Sequence, residues 1–581
     1  MCGILGQILS QPTNKTDFFE SLSQLNHRGP DDSGVYFDDN IALGQTRLSI
    51  VDLSEKGHQP MVSECGNYVI VYNGEIYNFK EIKQDLISKK YKFNSLTDTE
   101  VILNGFIEYK EGILNKLNGM FAFCIYNKST KEFFLARDRS GIKPLYYYDK
   151  DKRFVFSSEL KPLKKYSSGA NFDAKILFLL LGYIPEPITM YKDVSVFPAG
   201  HYGYYKNGEL RVVKYDDYLF ERKISKPYKE SVQDVSKLLN KSIQRHLISD
   251  APIGVFLSGG LDSSIITSIA SKYKKDLHTL SLVFDDKGFS EEPYQNLIIK
   301  KYNTKHSKCL INEQIFLDAI DDFFTSIDQP TIDGINTYLI SKAAKNNGLK
   351  AVLSGIGADE IFYGYPSFKY AKRLDFLKKI PYSIINILTN SHKYKKLELL
   401  KIENELSFYL PTRGVFSPSQ ISSILNIKES KVYQVITNIW QTYNSEKIKN
   451  IEDKISYFEL NLYMKNQLLR DADVFGMANS LEIRVPFLDK DLVDYVLRIE
   501  PQQKFGINNK IILVDAVKHL LPDLITNRPK MGFVLPFERW FKNNIHLFSI
   551  DNNFKKKFMN GQLHWSKIWA LIILDKFDEK L

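Results

Sequence analysis

Two short stretches hold residues whose types and spacing could do chemistry. Ser258-Gly259-Gly260-Leu261-Asp262-Ser263-Ser264 follows the apolar run Ile253 to Leu257 and precedes Ile265 to Ala270. The flanks read as a buried strand and a helix. Free backbone N–H groups and the positive end of a helix dipole would then converge on the turn. Two glycines let a bulky anion approach the backbone, and Ser258, Ser263 and Ser264 add hydroxyl donors. Asp262 suits an anion site only if a cation shares it, as Mg²⁺ does when a carboxylate and phosphate oxygens hold it. No lysine follows the glycines, so the loop differs from the G-x-x-x-x-G-K-[ST] type and suits pyrophosphate better than a γ-phosphate in transfer. Serines capping a helix would explain Ser-Gly alone; the full run after a strand favours a nucleotide.

The second stretch is the chain's start together with its companions. If the initiator Met is removed, the Cys2 thiol lies beside its own α-amine, whose pKa of about 7.7–8.0 suits a base near neutral pH. A free thiol is mostly protonated at pH 7, so a built-in base matters. Alone, Cys2 in Cys2-Gly3-Ile4-Leu5-Gly6 is an incidental residue of a small-residue strand. Its companions change the odds. His27-Arg28-Gly29-Pro30-Asp31-Asp32-Ser33-Gly34 is a turn-rich loop, and Arg47 in Arg47-Leu48-Ser49-Ile50-Val51 could clamp a carboxylate bidentately. Tyr72-Asn73-Gly74-Glu75-Ile76-Tyr77 carries a hairpin signal, yet Asn side chains and Gly N–H groups also build oxyanion holes. Asp98 heads a helical segment, Thr99 to Tyr109, as its N-cap, with one oxygen left to bind an ammonium.

These residues need elements to position them. Met120 to Tyr126, Glu132 to Arg137, Leu145 to Tyr148 and Arg153 to Phe156 are aromatic and β-branched runs broken by turn residues, so the N-terminal half is strand-rich. A hairpin turning at Lys206-Asn207-Gly208 ends it, and charged residues from Asp216 to Lys229 look like a linker. Further on, helical periodicity over Tyr228 to Ile248 alternates with buried strands at Leu277 to Phe284 and Ala351 to Leu353. That alternation predicts a parallel sheet with helices on both faces. Ligands bind outside the carboxyl ends of such strands. Both the loop above and Ser354-Gly355-Ile356-Gly357-Ala358-Asp359-Glu360 lie there. Phe376 to about Asn450 is mostly amphipathic helical sequence without readable chemistry.

At 581 residues the chain should form more than one domain. It is 44% hydrophobic and 25% charged, as globular proteins are, and its net charge of +10 is dispersed, which argues against nucleic acid as a partner. The apolar run Ile176 to Ile184 is too short to span a bilayer, so no membrane association is expected. Four cysteines without C-x-x-C spacing argue against a disulfide framework and fit a reducing cytoplasm.

From Cys2 to about residue 205 the chain resembles the class II glutamine amidotransferase domain, a glutaminase with an N-terminal nucleophile and an αββα sandwich fold. The resemblance makes Cys2 the nucleophile on the glutamine amide and Asn73 and Gly74 the oxyanion holders. Arg47 would grip the glutamine carboxylate, and Leu48, Ser49, Ile50, Val51, Glu75 and Asp98 would complete the pocket. Residues 206–230 would be the linker. From 231 to 581 the chain resembles the ATP-pyrophosphatase domain of the asparagine synthetase family. That implies Leu257, Ser258, Gly259, Gly260, Asp262, Ser263, Leu282, Ser354 and Gly355 around ATP, Asp262 and Asp359 on Mg²⁺, and Lys510 near the phosphates. Arg470 to Asp473 and Ser480 to Asp489 also look like that family, in packing roles and as lining of the acceptor pocket.

One position departs from the resemblance: many asparagine synthetases carry Glu where this chain has Ile356. Isoleucine can neither accept a proton nor bind a cation, and a positioned acid or base contributes about 10²–10⁴-fold. The expected reaction is glutamine-dependent asparagine synthesis from aspartate, ATP and glutamine. The alternatives are the same machinery acting on another carboxylate, such as a sugar uronate, and a non-catalytic nucleotide- or glutamine-binding relative. A homodimer is the candidate assembly.

Overall fold

A computed structural model describes residues 2–220, 223–285, 290–378, 380, 392–443, 445–505, 510–528 and 536–580. Its N-terminal part is built from two antiparallel six-stranded sheets. One runs Val194–Val196, Tyr146–Lys150, Arg153–Ser157, Cys2–Ile8, Ile41–Arg47, Asp32–Asp38 across its width. The other runs Glu209–Lys214, His201–Lys206, Glu132–Arg137, Gly119–Asn127, Tyr68–Ile76, Met61–Val62. Successive side chains of a strand point to opposite faces, and both faces of each sheet are covered. Ile4, Ile41 and Leu43 meet Val69, Val71 and Cys124 between the sheets. On the outer faces, Leu5 and Ala42 pack with Phe18 and Leu22 of the helix Lys15–Ser23, while Ile70, Phe121 and Phe123 pack with Ile82, Val101 and Phe106 of the helices Phe79–Ser88 and Asp98–Tyr109. The result is an αββα sandwich with Cys2 on a central strand.

The hairpin through Lys206-Asn207-Gly208 belongs to the second sheet: Glu209–Lys214 pairs with His201–Lys206 in full register. The sandwich therefore runs to Lys214, past residue 205. The helix Tyr228–His246 opens the next part.

That part is organised on a five-stranded parallel sheet ordered Lys305–Ile311, His278–Phe284, Ile253–Phe256, Ala351–Leu353, Glu482–Arg484. Two of these strands are not evident as apolar runs. Lys305–Ile311 is a polar edge strand, and Glu482–Arg484 is a short one with a charged residue at each end. Helices cover both faces: Val255 and Leu353 pack with Ile265, Ile269 and Leu239, and Val352 and Leu280 pack with Ala344. The chain leaves Ile253–Phe256 toward one side of the sheet and later returns on the other, at Ala351–Leu353. The two glycine loops sit at the carboxyl ends of these adjacent strands, which is the switch point where parallel sheets bind ligands.

Ile176 to Ile184 is explained by burial. The helix Phe172–Leu181 is apolar around its circumference and enters a core with Phe416, Val432 and Ile436 from the C-terminal part. No helix among the described residues is long and apolar enough to cross a membrane.

Candidate functional site

At the chain's start, strand pairing sets Cys2 opposite Arg47, and the Cys2 backbone N–H donates to Asn73 Oδ1 at 3.1 Å. The thiol is buried. Burial pushes its pKa up, partly countered by positive charge at the chain's amino end, a hydrogen bond from the Leu48 backbone and Arg47. Asn73 is fully buried, and its Nδ2 has no hydrogen-bond partner among the described residues. Gly74 follows on the same strand, where a Cβ would come within 2.1 Å of the Met120 carbonyl oxygen, so no side chain fits. A buried amide donor without a partner, beside a thiol and a bare backbone, is the arrangement that a developing oxyanion requires.

Arg47 is held by carbonyls: Nη1 donates to Ser54 O at 3.0 Å and Nη2 to Asp52 O at 2.5 Å. Ser49 N donates to Asp31 Oδ2 at 2.8 Å. Leu48 and Ile50 are buried, and their side chains join the core of the C-terminal part, with Val51 packed against it. Asp98 is not the helix cap. Thr97 is, its side chain accepting from Glu100 N, and Asp98 is the first residue of Asp98–Tyr109. The Asp98 carboxylate turns inward and accepts from Tyr72 OH and Ile76 N, each at 2.8 Å. Burial raises its pKa against those hydrogen bonds. Burial likewise raises Glu75 well above the usual carboxylate range, although Arg484 opposes it.

At the switch point, the helix Leu261–Tyr273 starts after Gly260 with no side chain capping it, so its first N–H groups face the loop. Gly259 has φ +76°, which favours glycine. Ser258 and Ser263 brace each other, Oγ to Oγ at 3.0 Å. Leu257 and Leu282 are buried at their strand ends, and Ser354 N donates to Arg484 O at 2.8 Å. Asp262 and Asp359 come together across the two loops, bridged by Lys510. Its Nζ lies 2.7 Å from Asp262 Oδ1 and 2.7 Å from Asp359 Oδ1. Burial works against the ammonium, but the two carboxylates hold its pKa above the ordinary lysine value. Lys510 thus points inward, between the two glycine loops. Gly364 makes room for it, since a Cβ there would lie 1.8 Å from Asp359 Oδ1 and 2.4 Å from Lys510 Cε. Two converging carboxylates beside a loop of N–H donors fit a hard cation bound together with phosphate oxygens.

A glutamine amidotransferase domain model matches residues 1–216, and an asparagine synthase model matches residues 234–557. Asparagine synthetase (glutamine-hydrolyzing) 1 of Bacillus subtilis is 33% identical, covering 94% of this chain and 89% of that protein. The chain belongs to the glutamine-hydrolysing asparagine synthetase family, whose members are ATP-dependent ligases. Asparagine synthetase B of Escherichia coli is 32% identical over 92% of this chain and 82% of its own length. A relative under a different name, the amidase chry2 of Gibberella zeae, is 25% identical over 90% of this chain and 86% of its own length.

Within this family member, Ile356 packs with the apolar clusters on both faces of the parallel sheet. The joint between the two parts holds further buried charged residues whose partners lie across it. Arg28, wholly buried, donates from Nε to Cys2 O at 3.1 Å, from Nη1 to Glu159 at 3.0 Å and from Nη2 to Asp473 Oδ2 at 2.7 Å. Burial opposes ionisation of Glu159, but His27, Lys161 and Arg28 together hold its carboxyl below the usual range. Arg484 is equally buried. It pairs with Glu482 at 2.5 Å and Glu75 at 3.3 Å, and it donates to the carbonyls of His246 and Ile248. Both arginines stood inside quoted motifs. One partner of each, Asp473 for Arg28 and Glu75 for Arg484, lies more than 400 residues away in the chain, so spacing could not assign those pairs.

Proposed function

We propose that this chain makes an amide from a carboxylate, ATP and glutamine, with aspartate as acceptor and asparagine as product. The observation that carries the reading is the pairing, in one chain, of an oxyanion-ready thiol site with a pyrophosphate-type loop at a parallel-sheet switch point. At the first site Cys2, deprotonated by its own α-amine once Met1 is removed, attacks the side-chain amide carbon of glutamine. Asn73 Nδ2 and the Gly74 N–H hold the oxyanion. Arg47 takes the glutamine carboxylate, and Glu75 and Asp98 take its ammonium. Ammonia leaves, and water hydrolyses the glutamyl thioester to glutamate, regenerating the thiol.

At the second site the acceptor carboxylate oxygen attacks the α-phosphorus of ATP and pyrophosphate departs. The N–H groups around Ser258 to Ser264 and Lys510 stabilise the charge that accumulates on it. Asp262 and Asp359 would hold Mg²⁺, which supplies charge neutralisation to the phosphates when bound. Ammonia then attacks the acyl carbon and AMP leaves. Because ammonia mostly protonates in bulk water, delivery across the joint preserves the nucleophile, and keeping the reactants together lowers the entropic barrier.

Ile356 favours a second reading in which the acceptor is another carboxylate, such as a sugar uronate. Purified protein given ATP, glutamine and either aspartate or a panel of other acids separates the two. Asparagine formed in step with AMP supports the first. AMP and a different amide formed only with another acid supports the second.

A further inference from the structure

The loop that presents Arg47 is braced from outside the sandwich. Asp52, whose carbonyl takes Arg47 Nη2, has φ +55°, a left-handed conformation that costs energy for a residue with a Cβ. Its carboxylate is occupied locally, accepting from Ser54 N at 3.1 Å and Leu96 N at 2.9 Å. Its backbone N–H reaches the other part of the molecule, donating to Asp250 Oδ2 at 2.8 Å. The neighbouring Ile50 carbonyl accepts from Asp250 N at 2.9 Å and Ala251 N at 3.3 Å. Three hydrogen bonds thus tie residues 50–52 to residues 250–251, one of them made by a side chain. Gly57 closes the other side, since a Cβ there would lie 1.9 Å from Arg47 Nη2. The guanidinium therefore has one place to be, and the loop holding it leans on Asp250.

The brace also adjoins the strand that leads to the second candidate site. Ala251 and Pro252 lead straight into Ile253–Phe256, the strand that ends at the pyrophosphate loop. Arg484 donates to Ile248 O from Nη1, while its own carbonyl receives Ser354 N at 2.8 Å.

We propose that Asp250 is a positioning residue for glutamine, supplied by the ATP-binding part to the glutaminase pocket: its carboxylate fixes the Asp52 peptide and, through it, Arg47. The proposal rests on the glutamine-pocket reading given above. It makes the pocket a product of both parts of the chain and ties glutamine affinity to the seating of the strand below the pyrophosphate loop.

Asp250 is exposed, so replacing it leaves no buried cavity. The test uses the full chain and three measurements: KM and kcat for glutamate release from glutamine, and the rate of pyrophosphate release driven by ammonium. Asp250→Ala is expected to raise KM for glutamine about tenfold, the low end for a hydrogen bond to a charged group. It should leave kcat and the ammonium-driven rate within about twofold of wild type. Asp250→Asn retains an acceptor oxygen and is expected to restore most of the affinity. An unchanged KM in Asp250→Ala overturns the proposal. So does an equal rise in Asp250→Asn, or a parallel loss of the ammonium-driven rate, which would mark general structural damage. Failure of the wild-type chain to release glutamate at all would instead remove the pocket reading itself.

Discussion

Asn73 has two jobs in the proposed mechanism, and Asn73→Ala removes both. Its Oδ1 fixes the Cys2 backbone N–H at 3.1 Å. Its Nδ2 is buried without a partner among the described residues and, in the proposed mechanism, is available to the oxyanion that forms when the thiol adds to the glutamine amide. Loss of one oxyanion donor costs about 10²–10³ in kcat, or about 2.7–4 kcal/mol. The Gly74 N–H stays, because that position depends on the close approach of Met120 O and not on Asn73. The loss should therefore sit near 10² and appear in kcat more than in KM, since the contact forms mainly in the transition state. Steady-state glutamate release reads it, and ammonium-driven pyrophosphate release by the same preparation serves as the internal control. A kcat within about threefold of wild type would refute the assignment of the orphan amide. So would equal loss in both assays.

Three further outcomes follow from the same geometry. Lys510→Met leaves Asp262 and Asp359 facing one another without their cation, and should cut ammonium- and glutamine-driven synthesis together by about tenfold or more while sparing glutamate release. Asp473→Asn strips one carboxylate from the buried Arg28 guanidinium. Breaking a buried pair costs about 3–5 kcal/mol, and with Glu159 remaining the low end is expected, read as a fall in the thermal unfolding midpoint. His246, its ring centroid 3.8 Å from that of Tyr77 across the joint, has its pKa pushed down to about 3, burial being the main cause. The unfolded chain takes up that proton near pH 6.5 and the folded chain does not. Stability is thus fully present above about pH 6.5 and falls by about 1.4 kcal/mol per pH unit as pH drops toward 3. His246→Gln should flatten that part of a denaturation-against-pH curve.

The parts of the molecule legible in sequence are those where local pattern and local role coincide. A strand, a glycine turn and a helix at Ile253 to Ala270 announce an anion cradle because all the donors are neighbours in the chain. Aromatic and β-branched runs punctuated by turns make the N-terminal half strand-rich, while its αββα layering was implied only by the resemblance to class II glutamine amidotransferases. Lys305–Ile311 was hidden because an edge strand needs no apolar alternation, and Glu482–Arg484 because three residues, two of them charged, carry no period. Asp98 looked like a cap because Asp commonly is one; Thr97, one place earlier, caps as well and frees the carboxylate to turn inward. Lys510 was placed near the phosphates only by resemblance, because nothing nearby in sequence offers it a partner; its partners are residues 262 and 359. Arg28, Arg484 and Asp250 share that character. Each acts across the joint between the two parts, where contact depends on how the domains seat and not on spacing.

The central claim is that one chain liberates ammonia at Cys2 and consumes it at the ATP site. Substituting Cys2→Ala and measuring product amide from glutamine and from ammonium salts, side by side, tests it most directly. The account predicts that the glutamine-driven reaction disappears while the ammonium-driven one keeps its wild-type rate. Undiminished product from glutamine in the variant would contradict it.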